Sequence, residues 1–149
     1  MSIEEENKAA VSRFWEATDF KGIPLSEMKP TMDRIWPEIF NPELVLHSGT
    51  TDLPLEQVLP YWISRLSAFP DQECTIEDII AEGDKVMARL TIRGTHQREF
   101  MGIPATGKKI VEDMVAIAHF KNGRMSEGWG YYGPGGSIMQ LLGINPPSQ

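Results

Sequence analysis

Apolar residues near the start of the chain recur at helical spacing. Ala10, Val11, Phe14, Trp15 and Ala17 form one stripe, which predicts an amphipathic helix. Ser2 followed by Glu5 has the spacing of a capping box, so this helix is expected to begin there and to end near Asp19 to Gly22. From Pro24 to Pro42 the pattern loosens, with Met28, Met32, Ile35, Trp36 and Phe40 interrupted by Pro30, Pro37 and Pro42. Proline removes a backbone donor and restricts the residue before it, so one or two short helices are expected here, serving as a lid over a cavity. Glu43 to Ser48 reads as a short strand closed by Gly49. Thr51 to Phe69 reads as a helix whose stripe of Leu55, Val58, Leu59, Trp62, Ile63, Leu66 and Phe69 docks on a sheet. Pro54 suits its first turn, and Pro60 lies on the face opposite most of the stripe.

Beyond Phe69 the period changes from helical to alternating. Glu73 to Ala81 runs through Glu82-Gly83-Asp84, a tight hairpin signal, into Lys85 to Gln97. There Val86, Ala88, Leu90 and Ile92 alternate with Met87, Arg89, Thr91 and Arg93. The stretch Gly94 to Lys108 carries Gly102, Pro104 and Gly107 and reads as an ordered, turn-rich crossing. Lys109 to Phe120 predicts the next strand, and Lys121-Asn122-Gly123 turns it into Arg124 to Tyr132. The tail reads as a loop and one short helix, capped by Ser137 and stopped by Gly143. Helices first and hairpin strands afterwards describe an α+β domain spanning 1–149, a cone-shaped curved antiparallel sheet with the N-terminal helices packed on its concave face. Ligand pockets form in such concavities.

Composition narrows the function classes. A chain of 149 residues with formal charge −7 has no basic excess to displace counterions from a phosphate backbone, so nucleic acid is excluded as the main partner. Cys74 is the single cysteine and has no partner for an internal disulfide. No signal-peptide pattern opens the sequence, and no apolar run approaches the ~20 residues that span a bilayer. A soluble, cytoplasmic protein without a membrane partner is expected. His47, His96 and His119 lack metal-ligand spacing, the glycines of 130–136 lack the lysine of a phosphate loop, and Ser137 lacks a nucleophile-elbow motif. Neither a metal nor a cofactor is expected.

Several motifs carry a resemblance. Phe69-Pro70-Asp71, Ala81-Glu82-Gly83-Asp84, Gly94-Thr95-His96, Phe100, Gly102-Ile103-Pro104-Ala105-Thr106-Gly107-Lys108 and Asn122-Gly123-Arg124 resemble the SnoaL-like polyketide cyclase family. That family belongs to the cone-shaped superfamily of nuclear transport factor 2. The resemblance implies a cone, often homodimeric through its open sheet, that holds a hydrophobic small molecule without a cofactor. In the cyclases an acidic carbon of a polyketide ester loses a proton and attacks a carbonyl inside the pocket, chemistry for which acid/base groups and a shaped cavity suffice. The last strand of the family usually carries His-Trp-Asp, whereas this chain has Gly128-Trp129-Gly130, and a frequent polar partner on the preceding strand is Ala116 here.

Alternation places Gly128, Gly130 and Tyr132 on one face with Met114, Ala116 and Ala118, which implies a roomier, more apolar cavity. Phe14, Trp15, Trp36 and Trp62 from the helices are expected to line it, with Leu90 and Phe100. His47 is the first candidate for proton transfer, at a strand end where the family commonly keeps a histidine. Glu112 falls on the same alternation as Met114, where desolvation would raise its pKa toward that of a usable base. Tyr132 is the candidate hydrogen-bond donor to a developing enolate. Trp129 and Tyr131 read as packing or dimer contacts, His96 as a loop-ordering element, and His119 as exposed or interfacial. The resulting expectation is cofactor-free cyclisation or isomerisation of a hydrophobic polyketide-like or terpenoid-like molecule. The alternatives are a non-catalytic ligand-binding module and a subunit that completes another protein's site.

Overall fold

The first helix, α1 (Ile3–Glu16), begins where the Ser2 hydroxyl accepts the Glu5 backbone N–H at 3.2 Å. It buries Val11, Phe14 and Trp15. This computed structural model describes residues 2–16, 18, 23–48 and 51–143. Ala17, the helix end expected near Asp19 to Gly22, and Gly49 lie outside the described residues.

One continuous helix, α2 (Leu25–Ile39), follows despite Pro30 and Pro37 inside it. Met28, Met32, Trp36 and Ile39 are all buried from its inner face. At roughly 1.5–3 kcal/mol for each large apolar side chain, that burial outweighs the ~3 kcal/mol cost of an interior proline. The helix is part of the core, and none of its residues borders the cavity described below, so it is not the expected lid.

The chain then enters β1 (Phe40–Ser48) and folds back through a short strand, β2 (Thr51–Pro54), which occupies the residues expected to begin the next helix. That helix, α3, runs from Leu55 to Ala68, with exposed Pro60 on its solvent face. Two hairpins follow, β3 (Glu73–Glu82) with β4 (Lys85–Thr95), and β5 (Lys109–Lys121) with β6 (Arg124–Tyr132). Both turns use positive φ, at Gly83 and at Asn122-Gly123. The last helix, α4 (Ile138–Leu141), has Ser137 as its expected N-cap, within a capping box in which the Ser137 N–H donates to Gln140 Oε1 at 2.8 Å.

The six strands form one sheet in the order β2-β1-β6-β5-β4-β3. It is curved and unclosed, and it is mixed rather than antiparallel, because β1 runs parallel to β6. The register defines two faces. The row Val86, Ala118, Gly128, Leu46 and Leu53 crosses five strands on the inner face, against the helices. The adjoining row Ile80, Met87, Ile117, Trp129, His47 and Asp52 crosses all six on the outer face.

The crossing from β4 to β5 is pinned at both ends. Asp71 accepts the Thr95 N–H at 2.8 Å and the Thr95 hydroxyl at 2.7 Å. Burial alone would raise the Asp71 pKa, but these bonds hold it below the usual carboxylate value. Buried His96 stacks on Phe69 at 5.3 Å, and its Nδ1 accepts the Thr106 N–H at 3.2 Å. Phe69 and Phe100 form a second small core with Ile110, Ile138 and Leu142.

Candidate functional site

Small residues on the inner face leave room above the sheet. Ala88, Ala116 and Gly130 lie side by side across β4, β5 and β6, and Ala118 pairs with Gly128 in the next row. Above them is a cavity of about 170 Å³, walled by Phe14 and Trp15 of α1 and by Val58 and Trp62 of α3. Its size slightly exceeds that of an engineered apolar cavity of roughly 150 Å³ that takes up benzene.

Met114, Ala116, Gly128 and Gly130 line the cavity as the alternation predicted, together with Phe14, Trp15 and Trp62. Three expected lining residues do not. Trp36 packs its ring against Phe14 at 6.1 Å and Phe40 at 5.1 Å. Leu90 is fully buried in the main core, and Phe100 belongs to the second core, 5.8 Å from the Phe69 ring. The glycines also leave less space than expected. A Cβ at Gly130 would lie 3.0 Å from the Met114 methyl, and one at Gly128 would lie 2.6 Å from Leu46 Cδ2.

One end of the cavity is polar. Tyr61, Arg65 and Tyr132 all border it. Arg65 projects from the apolar stripe of α3, one turn after Trp62, with its guanidinium carbon 5.5 Å from that ring's centroid. Its Nη2 donates to Glu112 Oε1 at 2.8 Å and its Nε–H to Gln72 Oε1 at 2.9 Å, all three side chains being buried. Burial alone would lower the Arg65 pKa, but Tyr61 and Glu112 outweigh it and hold the group above its ordinary value.

Glu112 therefore occupies the inner face, as alternation required, but behind Arg65 and outside the cavity lining. Its Oε2 is buried with no hydrogen-bond partner among the described residues. Tyr132 keeps 42% of its surface accessible, yet its hydroxyl is desolvated. Burial, then Tyr61 and Glu112, push the phenol up to about 12, while Arg65 pulls the other way. The phenol is thus a hydrogen-bond donor at neutral pH. Cys74 is likewise pushed up to about 12, chiefly by burial, and stays a thiol rather than a nucleophile.

His47 borders the cavity beside Gly128, but its register partners are Trp129 and Asp52 on the outer face. The ring stacks on Trp129 at 5.0 Å. Its Nδ1 lies 2.6 Å from Asp52 Oδ1 and its Nε2 lies 2.6 Å from Glu127 Oε2. Two carboxylate partners favour the imidazolium, and these bonds, Glu127 first, raise the His47 pKa above 6.5. His119 sits on the same face, its ring 4.6 Å from Trp129. Among the described residues no group of three or more His, Cys, Asp or Glu side chains is placed to hold a metal ion.

Tyr61 and Arg65 are the residues that sequence reasoning missed. A readable signal existed for Arg65, which lies seven residues after Val58 and three after Trp62 on an otherwise apolar stripe. A charge at such a position needs a buried partner.

A curved sheet with helices over its inner face and a small apolar cavity with one polar end define a small-molecule site. The model of the SnoaL-like polyketide cyclase family matches residues 31–141, and the chain belongs to that family. It is 26% identical over 122 residues to aklanonic acid methyl ester cyclase AcmA of Streptomyces galilaeus, covering 80% of this chain and 79% of that protein. Among solved structures, IdmH of Streptomyces antibioticus is 27% identical with a TM-score of 0.69, over 93% of this chain and 99% of that one. A SnoaL-like protein of Jannaschia sp. CCS1 superposes with a TM-score of 0.78 at 19% identity, over 98% and 97% of the two chains, and supports the fold.

Proposed function

We propose that this protein catalyses a cofactor-independent, acid/base cyclisation or isomerisation of a hydrophobic polyketide-like ketone. The observation that carries this reading is the convergence of Tyr61, Arg65 and Tyr132 on one end of an apolar cavity. A carbonyl oxygen placed there meets the Arg65 guanidinium, already oriented by Glu112 and Gln72, and the Tyr61 and Tyr132 hydroxyls. As the adjacent carbon loses its proton, negative charge grows on that oxygen, where preorganised donors stabilise it. Glu112, behind Arg65 with its unpaired Oε2, is the proposed proton acceptor, reached from the cavity through one bridging water. The carbanion then attacks a second carbonyl of the same molecule or is reprotonated at another carbon. His47, clamped on the outer face, serves as a positioning residue at the β1–β6 seam in this reading.

The test uses 2-tetralone, a bicyclic ketone, with exchange of its α C–H in deuterium oxide followed by NMR. Wild-type protein is expected to accelerate exchange, Tyr132→Phe to slow it by ~10²-fold, and Glu112→Gln to remove it. No acceleration by saturating wild-type protein would falsify the catalytic reading. Gly130 and Ala116 favour a second reading, retention of a ligand without chemistry, because neither residue has an acid/base group. Binding of the ketone without exchange is its signature.

Self-association is part of the proposal. Ile80, Met87 and Tyr131 are exposed on the outer face of the sheet, and Ile117 and Trp129 stand between them. An apolar strip of this kind suits a homodimer contact. Sedimentation at micromolar concentration, comparing wild type with Tyr131→Lys, measures it; a monomer in both would remove this part.

A further inference from the structure

The space directly over Gly130, at the cavity wall, is taken up in part by a neighbouring side chain. The Met114 methyl lies 3.0 Å from the point a Cβ at Gly130 would take, and Met114 itself borders the cavity. Its counterpart over Gly128 is Leu46, which is branched and packed against the main core. The two fillers differ in kind. Methionine is unbranched, with three rotatable side-chain bonds, and can withdraw from a gap without disturbing the backbone. Met114 also marks the end of the cavity along β5. Ala118, Ala116 and Met114 line it in succession, and the next inner-face residue, Glu112, does not.

We propose that Met114 is the specificity-determining residue of this site, a movable plug over Gly130 that sets the size of molecule accepted. The inference rests on the reading of this cavity as the ligand site. A small ketone binds with the plug in place, whereas a larger ring system displaces the thioether methyl from above Gly130.

The test compares acetophenone with 2-acetylnaphthalene by quenching of the cavity tryptophans, in wild type, Met114→Ala and Met114→Leu. Removing the plug is expected to raise the preference for the naphthyl ketone about tenfold, the scale of one or two methylenes in an apolar pocket. Leucine, similar in volume but branched, keeps the core filled and is expected to shift the preference toward acetophenone. A preference unmoved in both variants, with both ketones bound by wild type, overturns the role of Met114 alone. Failure of wild type and both variants to bind either ketone overturns that role together with the ligand-site reading. A crystal structure of the naphthyl ketone complex with the Met114 methyl still over Gly130 also overturns it.

Discussion

Arg65 Nη2 and Glu112 Oε1 lie 2.8 Å apart with their side chains only 3% and 0% exposed, one donated by α3 and the other by β5. Such a pair is held by mutual attraction against the cost of taking two charges out of water, so the loss of either partner leaves the other uncompensated. Arg65→Met is expected to cost about 3–5 kcal/mol. The double variant Arg65→Met/Glu112→Met is expected to recover much of that loss while remaining unable to bind a ketone. Urea unfolding of the two single variants and the double variant gives the coupling directly. Additive losses would show that the ion pair is not the unit that matters.

His47 predicts a pH dependence of stability. Its folded pKa lies above the unfolded value of 6.5 because Glu127 and Asp52 stabilise the imidazolium. The stabilisation is therefore fully present below about pH 6.5 and is lost as the pH rises through the folded value. Tm measured from about pH 5.5 to about pH 9 should show wild type and His47→Gln furthest apart at the acid end and converging at the alkaline end. A constant separation across that range would mean that the two short contacts do not act on the proton.

Much of the architecture was legible because alternation is local. Val86, Ala88, Leu90 and Ile92 announce a buried face, and Asn122-Gly123 announces a hairpin, within a few residues of themselves. The parallel pairing of β1 with β6 was not legible, since it joins segments from opposite halves of the chain and leaves no local mark. The same is true of β2, whose four residues carry the turn chemistry of a helix start. In α2, proline suggested breaks that the burial of Met28, Met32 and Trp36 overrode.

The site divides along the same line. Facing on β5 and β6 followed from period two, so Met114, Ala116, Gly130 and Tyr132 were placed correctly on the cavity side. Partner choice did not follow. Glu112 was assigned the right face, but its engagement by Arg65 depends on how α3 lies over the sheet. His47 was assigned the right strand end, and only the register with Trp129 and Asp52 shows that its ring belongs to the other face.

Gly128 and Gly130 offer a contrast that checks this geometry without a ligand. Both have room for ordinary strand backbone, since neither has a positive φ. Alanine in place of glycine therefore gains by restricting the unfolded chain, by about 0.4–1 kcal/mol where no clash opposes it. At Gly130 the opposing atom is the end of a flexible methionine at 3.0 Å, which needs to move only a few tenths of an ångström. At Gly128 it is Leu46 Cδ2 at 2.6 Å, on a branched side chain packed against the main core. Overpacking of that kind costs about 1–3 kcal/mol. Gly130→Ala is expected to leave stability unchanged or slightly raised, and Gly128→Ala to lower it by about 1–2 kcal/mol. Thermal unfolding of the two variants side by side decides the matter, and the reverse order would show that Leu46, not Met114, is the side chain free to move.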